Sequence, residues 1–149
     1  MSLQATIAAE VKTAMRAKDS ARLTTLRFLQ AAIKQKEVDE RQTMTDTEVM
    51  AVIEKQIKQR RESIAAYEKA GRLETAAQET AEIEVLQTFL PKAASQEEVT
   101  AAIDEAIAQA KASGVQGPAI MGKVMATLKQ SLAGRAEMSA ISQQVKAKL

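Results

Sequence analysis

Hydrophobic positions along this chain recur every three or four residues, and almost nowhere every second residue. Leu3, Ile7, Val11, Ala14 and Met15 share one helical face, with Ser2 placed to cap it. Asp19 or Ser20 interrupts that run and can start a second helix carrying Leu23, Leu26, Leu29 and Ile33. Asp39-Glu40-Arg41-Gln42 reads as a polar loop. Thr45-Asp46-Thr47-Glu48 then has the form of a capping box, threonine at the cap and glutamate three residues later. The third helix should reach about Ala70, roughly 25 residues or ~37 Å. Gly71 suits a left-handed C-terminal cap. A fourth helix follows with almost no loop, which predicts an antiparallel hairpin. Leu90-Pro91 should stop it, because proline disfavours helical backbone in the residue before it.

A second pattern starts beyond that proline. Ser95-Gln96-Glu97-Glu98 repeats the capping-box form, and Val99, Ala102, Ile103, Ala106, Ile107 and Ala110 follow on one face. Gly114 to Gly117 breaks the chain, and Pro118 fits the first turn of a sixth helix. Gly134 precedes a short last helix with Met138, Ile141, Val145 and Leu149 on one side. The expected fold is all-α: a four-helix N-terminal lobe with a long helical hairpin over 1–91, and a three-helix lobe over 92–149. Composition agrees with helices. Aromatics amount to Phe28, Phe89 and Tyr67, and 149 residues contain only 5 Gly and 2 Pro.

Composition also restricts the chemistry. With no His and no Cys, the commonest general base, metal ligand and thiol nucleophile are missing. No metal site, no cofactor and no catalytic residue is expected. No Gly-rich loop resembles a phosphate-binding or dinucleotide motif. Paired carboxylates such as Glu97-Glu98 are explained as favourable charges at a helix N-terminus. The expectation is a protein without a self-sufficient active site. No apolar run approaches the ~20 residues that span a bilayer, so no membrane partner is expected. The first residues lack the pattern of a secretory signal, and the absence of cysteine fits a reducing compartment, from which a cytoplasmic location is expected.

Charge is unevenly spread. Residues 1–91 hold 14 basic and 14 acidic side chains, whereas residues 118–149 hold Lys123, Lys129, Arg135, Lys146 and Lys148 against Glu137 alone. Such a basic end is either a footprint for phosphate or a set of lysines that keeps a small lobe in solution. On the sixth helix Ile120, Met121, Val124, Met125, Leu128 and Leu132 cover one side. Gly122 and Ala126 fall on the other, flanked by Lys123 and Lys129. A mid-helix glycine costs ~1 kcal/mol relative to alanine. It makes sense where another backbone comes close, either a nucleic-acid strand or the first lobe. Candidate RNA-binding residues are therefore Gly122, Lys123, Lys129, Arg135 and Lys146. With so few aromatics, RNA should be recognised by phosphate and shape rather than by stacked bases. On the third helix Arg60 projects onto the face of Val49, Ile53, Ile57, Ile64 and Tyr67, and needs a partner. Glu79 or Glu82 across the hairpin is the candidate, for a structural ion pair first and partner recognition second.

Several strings resemble the bacterial YqeY family. They are Met15-Arg16-Ala17-Lys18-Asp19, Lys58-Gln59-Arg60-Arg61-Glu62-Ser63 and Tyr67-Glu68-Lys69-Ala70-Gly71-Arg72, then Phe89-Leu90-Pro91, Met121-Gly122-Lys123-Val124-Met125 and Gly134-Arg135-Ala136. The resemblance runs over essentially the whole chain. It implies a second lobe similar to the tail of GatB, a subunit of the glutamine-dependent amidotransferase acting on Glu-tRNA(Gln) or Asp-tRNA(Asn). That tail assists tRNA recognition while the chemistry resides elsewhere. The resemblance thus implies tRNA, or a tRNA-handling enzyme, as partner. It also implies a label as a carbon–nitrogen ligase with glutamine as amide donor. The similar tail continues Gly-Arg-Ala with aspartate-glycine-lysine, whereas Glu137-Met138-Ser139 stands here. The competing expectation is a protein-interaction adaptor that works through the N-terminal hairpin.

Overall fold

The computed structural model describes residues 2–149, and among them there are seven helices and no strand. They are α1 (Leu3–Arg16), α2 (Ser20–Glu40), α3 (Asp46–Lys69), α4 (Leu73–Gln87), α5 (Gln96–Ala112), α6 (Ala119–Ser131) and α7 (Met138–Lys148). The fold is all-α. The chain divides into two compact units, Met1–Leu90 and Pro91–Leu149.

In the first unit, side chains supply the donors and acceptors that helix ends lack. The Ala5 N–H donates to Ser2 Oγ at 3.1 Å, and the Arg22 N–H to Asp19 Oδ1 at 3.2 Å. Thr45 and Glu48 form a complete capping box. The Leu3 N–H donates to Asp46 Oδ1 at 2.9 Å, joining the starts of α1 and α3. Glu37 Oε2 accepts from the Met44 N–H at 3.0 Å and from Gln4 Nε2 at 3.1 Å, which fixes the turn after α2. The core is aliphatic: Ile7, Leu26, Leu29, Ile33, Val49, Ile53, Ile57, Ile83 and Leu86 are all buried. α3 and α4 form the hairpin, and its turn closes as a Schellman motif. There the Arg72 N–H reaches the Tyr67 carbonyl at 2.8 Å and the Gly71 N–H the Glu68 carbonyl at 3.1 Å, with Gly71 at φ +76°.

Two boundaries differ from the sequence expectation. Asp39 and Glu40 belong to α2 rather than to a loop, because Arg41 takes the left-handed cap at φ +54° and the helix runs right up to it. α4 ends at Gln87, before Leu90-Pro91: Thr88, Phe89 and Leu90 tighten into three-residue turns, and Phe89 is buried against the core.

The second unit is a three-helix cluster around Val99, Ile103, Ala106, Val124, Leu128, Ile141 and Val145. Ser95 caps α5 through the Glu98 N–H at 3.1 Å. The reciprocal arm of this box is altered. Glu98 Oε1 takes the Ser95 hydroxyl at 3.3 Å, while Oε2 is turned to Arg135.

Candidate functional site

The candidate surface is built on α6. Its buried side is Val124 and Leu128, continued by Leu132, with Ile120, Met121 and Met125 packed around them. That leaves the outer side to Gly122, Ala126 and Lys129, near one line at 100° per residue, with Lys123 and Gln130 at one margin; all five are exposed. A Cβ built on Gly122 would meet no heavy atom within 4 Å. Among the described residues of the second unit, none makes use of the missing side chain. The backbone at 122 is open for close approach, with the small side chains of Ala119 and Ala126 one turn to either side.

The cations differ in what they are committed to. Lys123, Lys129 and Lys146 are exposed, and among the described residues none of them enters an ion pair. Lys146 lies on α7, whose neighbour Lys148 is drawn to Asp104 at 2.5 Å. Arg135 is engaged internally. Its Nε donates to the Lys92 carbonyl at 3.0 Å, and its Nη2 pairs with the Glu98 carboxylate. The Ala94 N–H donates back to the Arg135 carbonyl at 2.8 Å. This arginine therefore ties the entry segment 92–94 and the start of α5 to the turn before α7. A charge already matched by a carboxylate adds little attraction for phosphate. Sequence pattern groups Arg135 with Lys123, Lys129 and Lys146, and its internal ion pair sets it apart from them. Its partner was visible only as the last residue of a capping box, 37 positions away.

Glu98 carries the electrostatic mark of this arrangement. The Arg135 guanidinium, first through its hydrogen bond and then through its charge, holds the Glu98 carboxyl below the ordinary glutamate value. Partial desolvation opposes the shift, and the Ser95 backbone and hydroxyl assist it. Glu37 is lowered likewise, chiefly by the Met44 N–H and then by Gln4.

On the hairpin, Arg60 reaches both carboxylates that the sequence offered. Nε donates to Glu82 Oε2 at 3.0 Å and lies 3.9 Å from Glu79 Oε2, while Nη1 is 3.5 Å from Gln56 Oε1. The Arg60 side chain is only 16% exposed. Glu82 is the principal partner, and the geometry is that of a bridge within the hairpin.

A family model described as "Yqey-like protein" matches residues 4–149. The chain is 38% identical over 121 residues to "Altered inheritance of mitochondria protein 41, mitochondrial" of Kluyveromyces lactis, covering 77% of this chain and 65% of that protein. A protein of the same name in Pyrenophora tritici-repentis is 32% identical over 131 residues, covering 86% of this chain and 70% of its own length. The Eremothecium gossypii protein of that name is 36% identical over 107 residues, 70% of this chain and 58% of its own. The chain thus spans less than two thirds of the Kluyveromyces and Eremothecium proteins. These names correct the expectation of a cytoplasmic protein, since the relatives carrying them are mitochondrial. The lack of cysteine is compatible with a reducing compartment and does not by itself name one. No helix among the described residues is long and apolar enough to cross a membrane.

Proposed function

We propose that this chain, which belongs to the Yqey-like protein family, works by binding, its second unit meeting the phosphate backbone of tRNA, free or held by an amidotransferase. One observation carries the reading: Gly122 sits one turn into α6 on an open face. A glycine there costs the helix ~1 kcal/mol relative to alanine, and nothing it touches within the second unit offsets that cost. The cost is recovered when a polyanion lies close to the backbone at 122, with Lys123 and Lys129 beside it. Lys146 adds a third uncommitted cation in the same unit. Arg135 supports the surface by holding residues 92–94 and α5 in place, and is not itself a phosphate ligand.

The test is filter binding of bulk tRNA at two salt concentrations. Replacing Lys123, Lys129 and Lys146 together by alanine should weaken binding and reduce the salt slope by somewhat under 1 unit for each phosphate no longer neutralised. Gly122→Leu should weaken binding by bulk alone, since leucine favours helix more than glycine does. Unchanged affinity in the triple variant and in Gly122→Leu would refute the reading and leave the first unit as the working part.

A further inference from the structure

The apolar stripe of α2 that enters the core occupies one side of that helix. Its opposite side carries a second periodic pattern. Ala21, Thr24, Phe28, Ala31, Gln35 and Val38 are all exposed, Phe28 by 63% and Val38 by 59%. They are separated by three, four, three, four and three positions, the a/d rhythm of a helix that packs lengthwise along another helix. None of the six is charged, and together they cover about 100° of the helix surface. Phe28, the chain's most exposed aromatic, stands at the middle of this seam.

One edge of the seam is cationic. Arg27 and Lys34 precede Phe28 and Gln35, and Arg41 continues their seven-residue spacing at the end of the helix; all three are exposed. Among the described residues none of the three lies within ion-pair distance of a carboxylate, and Lys34 acts on Glu37 only through its charge, as the weakest of the influences on that group. The carboxylates closest in sequence are already engaged. Glu37 holds the Met44 N–H and Gln4, Asp39 accepts from Gln35 Nε2 at 2.9 Å, and Glu40 Oε1 lies 3.9 Å from Lys36 Nζ. On the other edge Thr25 is buried, Ala32 is half-buried, and Asp39 is exposed with its carboxylate held by Gln35.

We propose that this face of α2 docks an amphipathic helix of a partner protein whose positions flanking its apolar seam are acidic. Charge complementarity selects that occupant. In lengthwise packing, the residues beside the seam meet their counterparts on the other helix, and a row of cations requires carboxylates there. A second copy of α2 running antiparallel would set Arg27, Lys34 and Arg41 against the same row. Running parallel, it would meet them with Thr25, Ala32 and Asp39, of which the first two are not free and the third is already held by Gln35. A nucleic acid would want cations across the face, whereas the centre of this one is uncharged and holds Phe28 and Val38. The seam is rich in alanine and threonine, so it suits close approach of two backbones and a reversible complex.

The experiment uses the full chain and two synthetic helical peptides of about three heptads, with alanine and leucine at the a and d positions. They differ only in the flanking e and g positions, glutamate in one and lysine in the other. Fluorescence anisotropy at low salt should show the glutamate peptide bound roughly tenfold more tightly than the lysine peptide. Arg27→Glu with Lys34→Glu should reverse that preference. Phe28→Asp should abolish binding while helix content stays unchanged, since Phe28 is not part of the core. Equal binding of both peptides, a preference that survives charge reversal, or binding indifferent to Phe28→Asp would overturn the proposal. Self-association that Phe28→Asp dissolves, without peptide binding, would overturn it in favour of a second copy. A charge-reversed variant that loses tRNA, while the parent chain fails to discriminate the peptides, would overturn it in favour of RNA.

Discussion

Replacing Gly122 by alanine is expected to stabilise the second unit, by an amount that follows from its surroundings. The residue sits four positions into α6 with an ordinary helical backbone, and a new methyl would touch nothing within 4 Å. Neither steric conflict nor extra burial enters, so the change reduces to helix propensity, about 0.9 kcal/mol in favour of alanine. Unfolding releases about 2.1 cal/mol/K per residue, so a unit of about 60 residues melting alone gains about 7 °C. If both units melt together as one chain, the same free energy gives about 3 °C. Thermal unfolding followed by circular dichroism, with urea titration at 25 °C for the free energy, measures both quantities. The shift in midpoint thereby also reports whether the units unfold separately. A destabilised or unchanged Gly122→Ala would refute the reasoning, because it would mean that another part of the chain occupies the open face. The same variant with tRNA present separates stability from binding: alanine should be tolerated far better than leucine.

Other outcomes follow from single interactions. Glu98 is lowered from its ordinary value of 4.5, so its contribution to stability is present above that value and is lost as pH falls below it. Urea midpoints measured from neutral to acid pH should show this loss, and Arg135→Ala should flatten it. Thr45→Ala removes the cap of α3 and should cost about 1 kcal/mol in chemical denaturation. A double-mutant cycle on Arg60 and Glu82, with alanine at each, should give a coupling of about 1 kcal/mol; additivity to within about 0.3 kcal/mol would deny the bridge a stabilising role.

Helices and their starts were legible because their causes are local. Ser2, Asp19, Thr45 and Ser95 each cap the backbone a few residues ahead, and Gly71 ends α3 by its own conformation. Helix ends were less legible. Arg41 adopts a left-handed backbone without being glycine, and Phe89 leaves α4 to fill the core before the proline acts. The outer side of α6 at Gly122 could be read from periodicity, since five apolar residues of α6 and Leu132 after it define the opposite side, but periodicity alone left open whether the first lobe packs there. The commitment of Arg135 could not, because its partners Glu98 and Lys92 are distant in sequence and one of them is a backbone carbonyl. The Phe28 seam was available in the spacing of α2. It was hidden behind the stronger stripe of Leu23, Leu26, Leu29 and Ile33, which accounts for the core and masks the weaker pattern on the other side.

The α3–α4 hairpin has its own consequence for how the first unit opens. The buried side chains of α3 are Val49, Ile53 and Ile57, all in its first half. Past them the helix is held by the Arg60 bridge and by half-buried Ile64 and Tyr67, and Leu73 at the start of α4 is 67% exposed. The outer turns therefore have little apolar packing to guard their backbone hydrogen bonds, the condition for local opening well below the cost of global unfolding. Fraying of the tip need not disturb Ile53 or Leu86. Amide exchange near Ala70 reports how often the arm closes, and the slowest exchange, around Ile53 and Leu86, reports the lifetime of the fold.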